Sequence, residues 1–292
     1  MKRVMITGAT GLLGRALVKT LSQSFQVIGT GFTRAKPPIL PLDLQNEEAV
    51  STFIELHQPD VIIHAAAERK PDICETDHQA TINLNVNVSK HLAQCCQQQN
   101  IQLFFISTDY VFDGNNAPYE ENAQTSPLNF YGQSKSQAEQ AVLAISNQHT
   151  IIRVPVLYGD VEYLAESAVT VIAEQIKAEQ ESKHDDWAIR YPTHVEDIAL
   201  SIADLINLPL NQCHGIYHVS DKQRMTKYQI AQLLASAVNL EGKQLVALPT
   251  PTQTANRPYD CALSDTRLKQ LGINHTRNFK QAITEVLKPH LP

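Results

Sequence analysis

The sequence has no Cys-x-x-Cys pair, no basic block, no internal repeat, no low-complexity segment and no apolar run of membrane-spanning length. Each absence removes a class of function. Its five cysteines, Cys74, Cys95, Cys96, Cys213 and Cys261, have no metal-ligand spacing. Two are adjacent and poorly placed to bond each other, so all five read as reduced thiols. The eleven histidines are scattered. His214 and His218 flank a strand-like "GIYHV" with no acid or cysteine clustered nearby, so a structural role is expected and no metal. A net charge of −6, a pI near 6.0 and no run of Lys or Arg argue against nucleic acid or an anionic membrane as partner. The opening "MKRVMITGATGLLG" is too short and too broken by glycine for a signal peptide, and a cytoplasmic protein is expected. What these exclusions leave is a soluble globular chain of 292 residues, 43% hydrophobic and 18% charged, large enough for a sizeable core.

Short apolar runs alternate with helical patterns through the first half. "RVMIT" (3–7), "FQVIGT" (25–30), "DVIIHAA" (60–66), "IQLFFIS" (101–107) and "TIIRVPVLYG" (150–159) read as strands. Helical stretches such as "EEAVSTFIELH" (47–57) and "TINLNVNVSKHLAQCCQQQ" (81–99) separate them. Strands apolar throughout and divided by helices predict a parallel sheet covered on both faces, a doubly wound α/β Rossmann fold. Beyond residue 159 the texture changes. A helix is expected over 166–176, a strand over 215–220, a helix capped by Thr226, and two short helices near 264–271 and 278–288. The division expected is a dinucleotide-binding domain over 1–159 and a smaller α/β lobe over 160–292, with some segments returning to the first, and a ligand cleft between them.

Three constellations carry chemistry. In "TGATGLLG", Gly8, Gly11 and Gly14 follow a strand and open a helix. They would permit a tight turn, close approach of a pyrophosphate to the helix N-terminus, and close helix–strand packing. The second strand ends "VIGTGFTRAK", without the acid that NAD sites place there, whereas Arg34 offers a planar cation to a 2′-phosphate. NADP(H) is therefore expected, with Asp43 and Leu44 bordering the adenine. In "ISTDYVFDG", Ser107 and Thr108 end a buried strand, where a hydroxyl can meet a substrate carbonyl. In "YGQSK", Tyr131 and Lys135 lie four apart on one helix face, the only Tyr-x-x-x-Lys in the chain. A lysine ammonium there and a nicotinamide cation would both lower the phenol's pKa, and the lysine could hold the nicotinamide ribose.

Taken together, in this order and at these gaps, the residues resemble an extended short-chain dehydrogenase/reductase. "STDYVFDG", "YGQSKSQAE", "RVPVLYG" and "NRPYDCALSDTRL" resemble the dTDP-4-dehydrorhamnose reductase group. "MITGATGLLGRAL", "AAAERKPD", "ESAVTV", "YPTHVEDIA" and "MTKYQIA" are similar to the regulatory β subunits of methionine adenosyltransferase, in the same superfamily. The resemblance runs over nearly the whole chain and implies cofactor contacts from Gly8, Thr10, Gly11, Leu12, Leu13 and Gly14. It places Phe32, Thr33 and Arg34 at the 2′-phosphate ribose, and Asp43 and Leu44 at the adenine. Ala65, Ala66, Arg69, Tyr131, Lys135 and Leu157 would follow the nicotinamide half. Thr108, Tyr131 and Lys135 would be catalytic, and Tyr110, Val156 and Arg257 would face the substrate. Two activities are implied. One is NADPH-dependent reduction of a 4-keto nucleotide-linked deoxysugar, as in dTDP-rhamnose biosynthesis. The other is an NADP-binding regulatory subunit engaging a methionine adenosyltransferase catalytic subunit. Either could be a homodimer.

Overall fold

The computed structural model describes residues 1–178, 180–237, 244–250 and 255–290. In chain order the first half contains β1 (Arg3–Thr7), α1 (Leu12–Leu21), β2 (Gln26–Gly31), β3 (Leu40–Pro41), α2 (Glu47–His57) and β4 (Val61–His64). There follow α3 (Pro71–Thr76), α4 (His78–Thr81), α5 (Val88–Gln98), β5 (Gln102–Thr108), α6 (Phe130–Ile145) and β6 (Thr150–Val154). The remainder comprises β7 (Leu157–Tyr158), α7 (Thr170–Ala178), β8 (Glu181–Asp185), β9 (Thr193–His194), α8 (Val195–Asn207), β10 (Gly215–His218), α9 (Lys227–Ala237), β11 (Gln244–Leu248), α10 (Thr266–Gln270) and α11 (Phe279–Leu287).

Seven strands form one parallel sheet in the order β10-β6-β5-β4-β1-β2-β3. The two-residue period of a strand divides its apolar residues between two cores. Val4, Ile6, Ile63, Phe104, Ile106 and Ile152 pack with α1 and α8, while Met5, Ile62, Leu103, Phe105 and Ile151 pack with α2, α5 and α6. Both faces are thus covered, as continuous apolar strands require. The chain leaves β1 toward β2 and β3, then returns to its other side as β4. The resulting switch point opens a crevice above the carboxyl ends of β1 and β4.

Two segments beyond residue 159 return to this sheet. Gly215–His218 pairs with Thr150–Arg153 as the edge strand, and α8 lies against α1. A third core joins Tyr158 of β7 to Ile172, Ile176, Ile230, Leu234, Phe279 and Ile283 from α7, α9 and α11. The strand expected to run from 150 to 159 is interrupted. β6 ends at Val154, and Leu157–Tyr158 pairs instead with Thr193–His194 in a separate two-stranded sheet. Pro155 lies at the break and has no N–H to continue the ladder. The helix expected from 166 begins at Thr170, after a 3₁₀ turn over Leu164–Glu166; the Ser167 hydroxyl accepts from the Val169 and Thr170 amides. Thr226 does cap α9. Its hydroxyl accepts from Gln229 N–H at 3.1 Å and its own N–H donates to Gln229 Oε1 at 3.0 Å.

Between α4 and α5 the helix widens into a π turn over Ile82–Asn87. The five cysteines are free and buried. Among the described residues no helix is long and apolar enough to cross a membrane, and no group of three or more His, Cys, Asp or Glu could hold a metal ion.

Two buried imidazoles shape the response to acid. His64, at the end of β4, faces the Thr7 hydroxyl at 2.7 Å and the Ser89 hydroxyl at 3.2 Å. His218 in β10 faces the Ser264 carbonyl at 2.8 Å. Burial first, with Lys135 for His64 and Arg153 for His218, draws each from 6.5 to about 3. Between those values the unfolded chain binds a proton that the folded chain does not, so stability is lost as pH falls below 6.5. Asp109, raised by burial from 3.8 to about 6, acts in the opposite sense. Unfolding between pH 6 and 4 then takes up two protons and releases one across these groups, a net slope of about 1.4 kcal/mol per pH unit. Urea titrations at successive pH values should show stability falling across that interval. A flat profile would mean that the imidazoles are protonated inside the fold.

Candidate functional site

A cavity of about 520 Å³ lies over the switch point and runs into the cleft beneath the smaller lobe. At one end is the turn from β1 to α1. Gly8 sits at φ +69°, and a Cβ there would lie 2.9 Å from Ala66 N. A Cβ on Gly14 would come within 2.1 Å of the Gly8 carbonyl, so helix and turn meet with no room for a side chain. Gly11 is different. A Cβ there would meet only Gly8 O at 3.3 Å, leaving its other side open to the cavity. No side chain caps α1, and its first turn carries no acid. Its unpaired N–H groups are therefore available to an anion, as a dinucleotide pyrophosphate requires. This cradle fits the dinucleotide expected from the sequence.

Gly31, Phe32 and Arg34 continue the wall, followed by Asp43 and Leu44 just beyond β3. Arg34 Nη1 pairs with Glu162 Oε2 at 3.5 Å. Thr33 lies on the exposed turn closed by Ala35 N–H to Phe32 O and does not line the cavity. All other residues expected at the site do line it, including Thr10, Leu12, Leu13, Ala65, Ala66, Arg69, Leu157, Val156, Tyr110 and Arg257. The loop after β4 is held by Asn85 in the π turn. Asn85 Oδ1 accepts from Glu68 N–H at 2.9 Å, and its Nδ2 donates to Glu68 O and to Ser134 Oγ, both at 3.0 Å. The loop is thereby tied to α6.

Helix α6 supplies the reactive wall. Asn129 caps it, accepting from Gly132 N–H at 2.9 Å, so Tyr131 falls in the first turn. Tyr131 is part-buried, edge-on to Tyr110 with ring centroids 6.0 Å apart. Lys135 is buried beneath it. Its Nζ donates to Ile106 O at 2.7 Å and lies 3.9 Å from the centre of the Phe105 ring. Burial lowers the Lys135 pKa to about 7, partly offset by Glu139. The expected lowering of the Tyr131 pKa is not found. Burial pushes the phenol upward, the Asp109 charge adds to that, and the Thr108 hydroxyl opposes it. The lysine is turned toward a backbone carbonyl and an aromatic face, and burial weakens its own charge. A phenol held above its ordinary range stays protonated at neutral pH, ready to donate rather than to accept a proton.

Thr108, at the end of β5, accepts from Tyr110 N–H at 3.2 Å and donates to Asp109 Oδ1 at 3.1 Å. Beyond it the cavity is cationic, through residues the sequence did not single out. Arg190 is buried and donates from Nη1 to Ile189 O, but its Nη2 has no partner. Lys227 also lines the cavity, its pKa lowered to about 8 by burial and then by Arg257 and Arg190. Arg257 Nη2 reaches Asp72 Oδ2 at 3.1 Å, while its buried Nε is unpaired. The loop carrying Arg257 is fastened twice more, by Ala255 N–H to Asp72 Oδ1 at 3.1 Å and by Asn129 Nδ2 to Asn256 O at 2.7 Å. Arg190 and Lys227 meet because Arg190 and Met225 exchange backbone hydrogen bonds of 2.7 and 2.9 Å. Buried guanidinium donors without partners are suited to a phosphate-bearing ligand.

Residues 1–291 match the family described as RmlD substrate binding domain. The chain is 42% identical over 295 residues to methionine adenosyltransferase 2 subunit beta of Mus musculus, an alignment spanning 99% of this chain and 88% of that protein. It is 29% identical over 289 residues to a dTDP-4-keto-6-deoxy-D-glucose reductase of Streptomyces niveus, covering 97% of this chain and 96% of the relative. Among solved structures, dTDP-4-dehydrorhamnose reductase of Bacillus anthracis str. Ames in complex with NADP superposes with a TM-score of 0.86 at 27% identity, covering 98% and 99% of the two chains.

Proposed function

We propose, from the premise that the chain belongs to the RmlD substrate binding domain family, that it is an NADPH-dependent reductase of a 4-keto nucleotide-linked deoxysugar. The observation that carries this reading is a single cavity holding the Gly8–Gly14 loop, the Thr108–Tyr131–Lys135 set and three basic side chains beyond them. The reductase names of the Streptomyces niveus relative and the Bacillus anthracis structure, the latter with NADP, agree with it.

The glycine turn and the first turn of α1 would hold the pyrophosphate, Phe32 and Arg34 the 2′-phosphate ribose, and Asp43 and Leu44 the adenine. Ala65, Ala66, Arg69 and Leu157 would enclose the nicotinamide half, with Lys135 on its ribose. Bound NADPH supplies the hydride. Tyr131 gives its phenolic proton to the oxygen on which negative charge develops, a role for which its raised pKa leaves it protonated. Thr108 turns its hydroxyl to the same oxygen. Lys135, one turn along the same helix face, is anchored on the Ile106 carbonyl and so ties this wall of α6 to β5. Arg190, Lys227 and Arg257 receive the diphosphate of the nucleotide, with Tyr110 and Val156 bordering the sugar. The test is loss of NADPH absorbance across a panel of 4-keto nucleotide sugars. Turnover of at least one is expected, and none across the panel would overturn the reading.

The 42% identity to an adenosyltransferase subunit supports a second reading, an NADP-binding regulatory subunit in the cytoplasm with little turnover. Affinity capture from the native host distinguishes the two: if no adenosyltransferase is recovered, the second reading fails.

A further inference from the structure

The segment after β7 brings two carboxylates to Arg15 and Arg34, beside the cavity wall that Arg34 forms. Glu166 is buried and binds Arg15 through both its oxygens, each at 2.7 Å. Its backbone carbonyl accepts from Arg69 Nη2 at 2.7 Å. Its Oε2 also takes the Glu162 N–H at 2.9 Å, which fixes the backbone of Glu162 over the same wall. The Glu162 side chain is 55% exposed and can rotate without moving that backbone. Its Oε2 lies 3.5 Å from Arg34 Nη1 and 3.7 Å from Arg15 Nη1. Arg15 is already neutralised by Glu166, so the charge that Glu162 balances is that of Arg34.

A dinucleotide site selective for a ribose 2′-hydroxyl places an acid at the end of the second strand. Here that strand ends at Gly31 and the turn Phe32-Thr33-Arg34 follows without an acid, which arrives instead from Glu162, 128 positions beyond Arg34. We propose that Glu162 is a specificity-determining residue for the cofactor, engaging Arg34 when the ribose carries a 2′-hydroxyl and yielding it to a 2′-phosphate. This rests on the dinucleotide reading above. A 2′-phosphate brings more negative charge and more acceptor oxygens than a carboxylate, so it wins the planar guanidinium. Glu162 then opposes it by like-charge repulsion. The displaced ion pair is exposed, and such pairs are worth a factor of roughly 1.5 to 5 in an equilibrium. Glu162 therefore narrows, without reversing, the preference for NADP(H) over NAD(H).

The test separates this role from the cofactor reading. Dissociation constants of the full-length protein are measured calorimetrically for adenosine 2′,5′-bisphosphate and for adenosine 5′-monophosphate, which differ only in the 2′-phosphate. Glu162→Gln should tighten the bisphosphate about 1.5- to 5-fold relative to the monophosphate, and added salt should shrink that gain. Arg34→Ala should remove most of the wild-type preference for the bisphosphate. An unchanged affinity ratio in Glu162→Gln, with Arg34→Ala still lowering it, overturns the role of Glu162 and leaves the cofactor reading standing. Failure of wild-type protein to bind either nucleotide overturns both.

Discussion

Tyr131→Phe should lower kcat by about 10²- to 10⁴-fold while leaving NADPH affinity nearly unchanged, the range by which a positioned acid accelerates proton transfer. The substitution removes one oxygen and keeps the ring, so the edge-on contact with Tyr110 at 6.0 Å survives. The cradle at Gly8, Gly11 and Gly14 lies at the other end of the cavity and is untouched. What is lost is the proton. The raised phenol pKa makes Tyr131 a donor across the neutral range, and the Thr108 hydroxyl at the same wall is an alcohol already shared with Asp109. Steady-state kcat and a fluorescence titration with NADPH read the two effects separately. A kcat within tenfold of wild type would show that the proton comes from elsewhere. A parallel loss of NADPH affinity would show that the ring, and not the acid, is what the site needs.

Glu139→Ala should cost about 3–5 kcal/mol of folding stability, the penalty for stranding a buried charge. Glu139 and Arg153 are each almost fully buried, and three guanidinium-to-carboxylate contacts of 2.7, 3.0 and 3.3 Å join them. Ser107 donates to Glu139 as well, so the carboxylate fastens the end of β5 to β6 from within α6. Against a total of about 5–15 kcal/mol for a typical domain, such a loss leaves little margin. The substitution reaches the reactive wall too, because Glu139 supports the Lys135 ammonium one turn away. Urea unfolding should show a lower midpoint at unchanged slope. A stability loss under about 1 kcal/mol would mean that water replaces the carboxylate and that the cluster is not sealed. Glu139→Gln removes the charge and leaves one acceptor oxygen where there were two, so it keeps only part of the hydrogen bonding to Arg153 and Ser107 and should fall between.

Much of this was legible in the sequence because local patterns carried it. Continuous apolar runs gave the sheet, "TGATGLLG" marked its first turn, and "YGQSK" placed Tyr131 and Lys135 on one face of a helix. Thr226 announced the start of α9 in the same way, and the structure adds Gln229 as its reciprocal partner. What escaped depends on distance or environment. Arg190 and Lys227 are ordinary basic residues in the sequence, and they converge only through the pairing of Arg190 with Met225. Asp109 stood inside the "STDY" stretch, but its raised pKa comes from burial, which no spacing reveals. The same limit misled the reading of the Tyr131–Lys135 pair. Four residues of separation set which face the side chains share, not which way an ammonium turns or how far desolvation outweighs it. Pro155 was visible throughout as a residue that cannot continue a ladder, yet the apolar run around it read as one strand.

The π turn at Ile82–Asn87 has a consequence for how chain length can vary here. Such a turn behaves as an α-helix carrying one surplus residue, and each residue of an α-helix advances it by about 100° around its axis. The wide turn absorbs that residue, so the helical stretches on either side keep the faces they present to the sheet. Removing one residue between 82 and 87 would close the turn to a regular helix with both flanks in place, but would lose the offset that brings Asn85 to Glu68. The stretch can lose a residue without dislodging α5 from the sheet, yet not without unlatching the loop that walls the cavity.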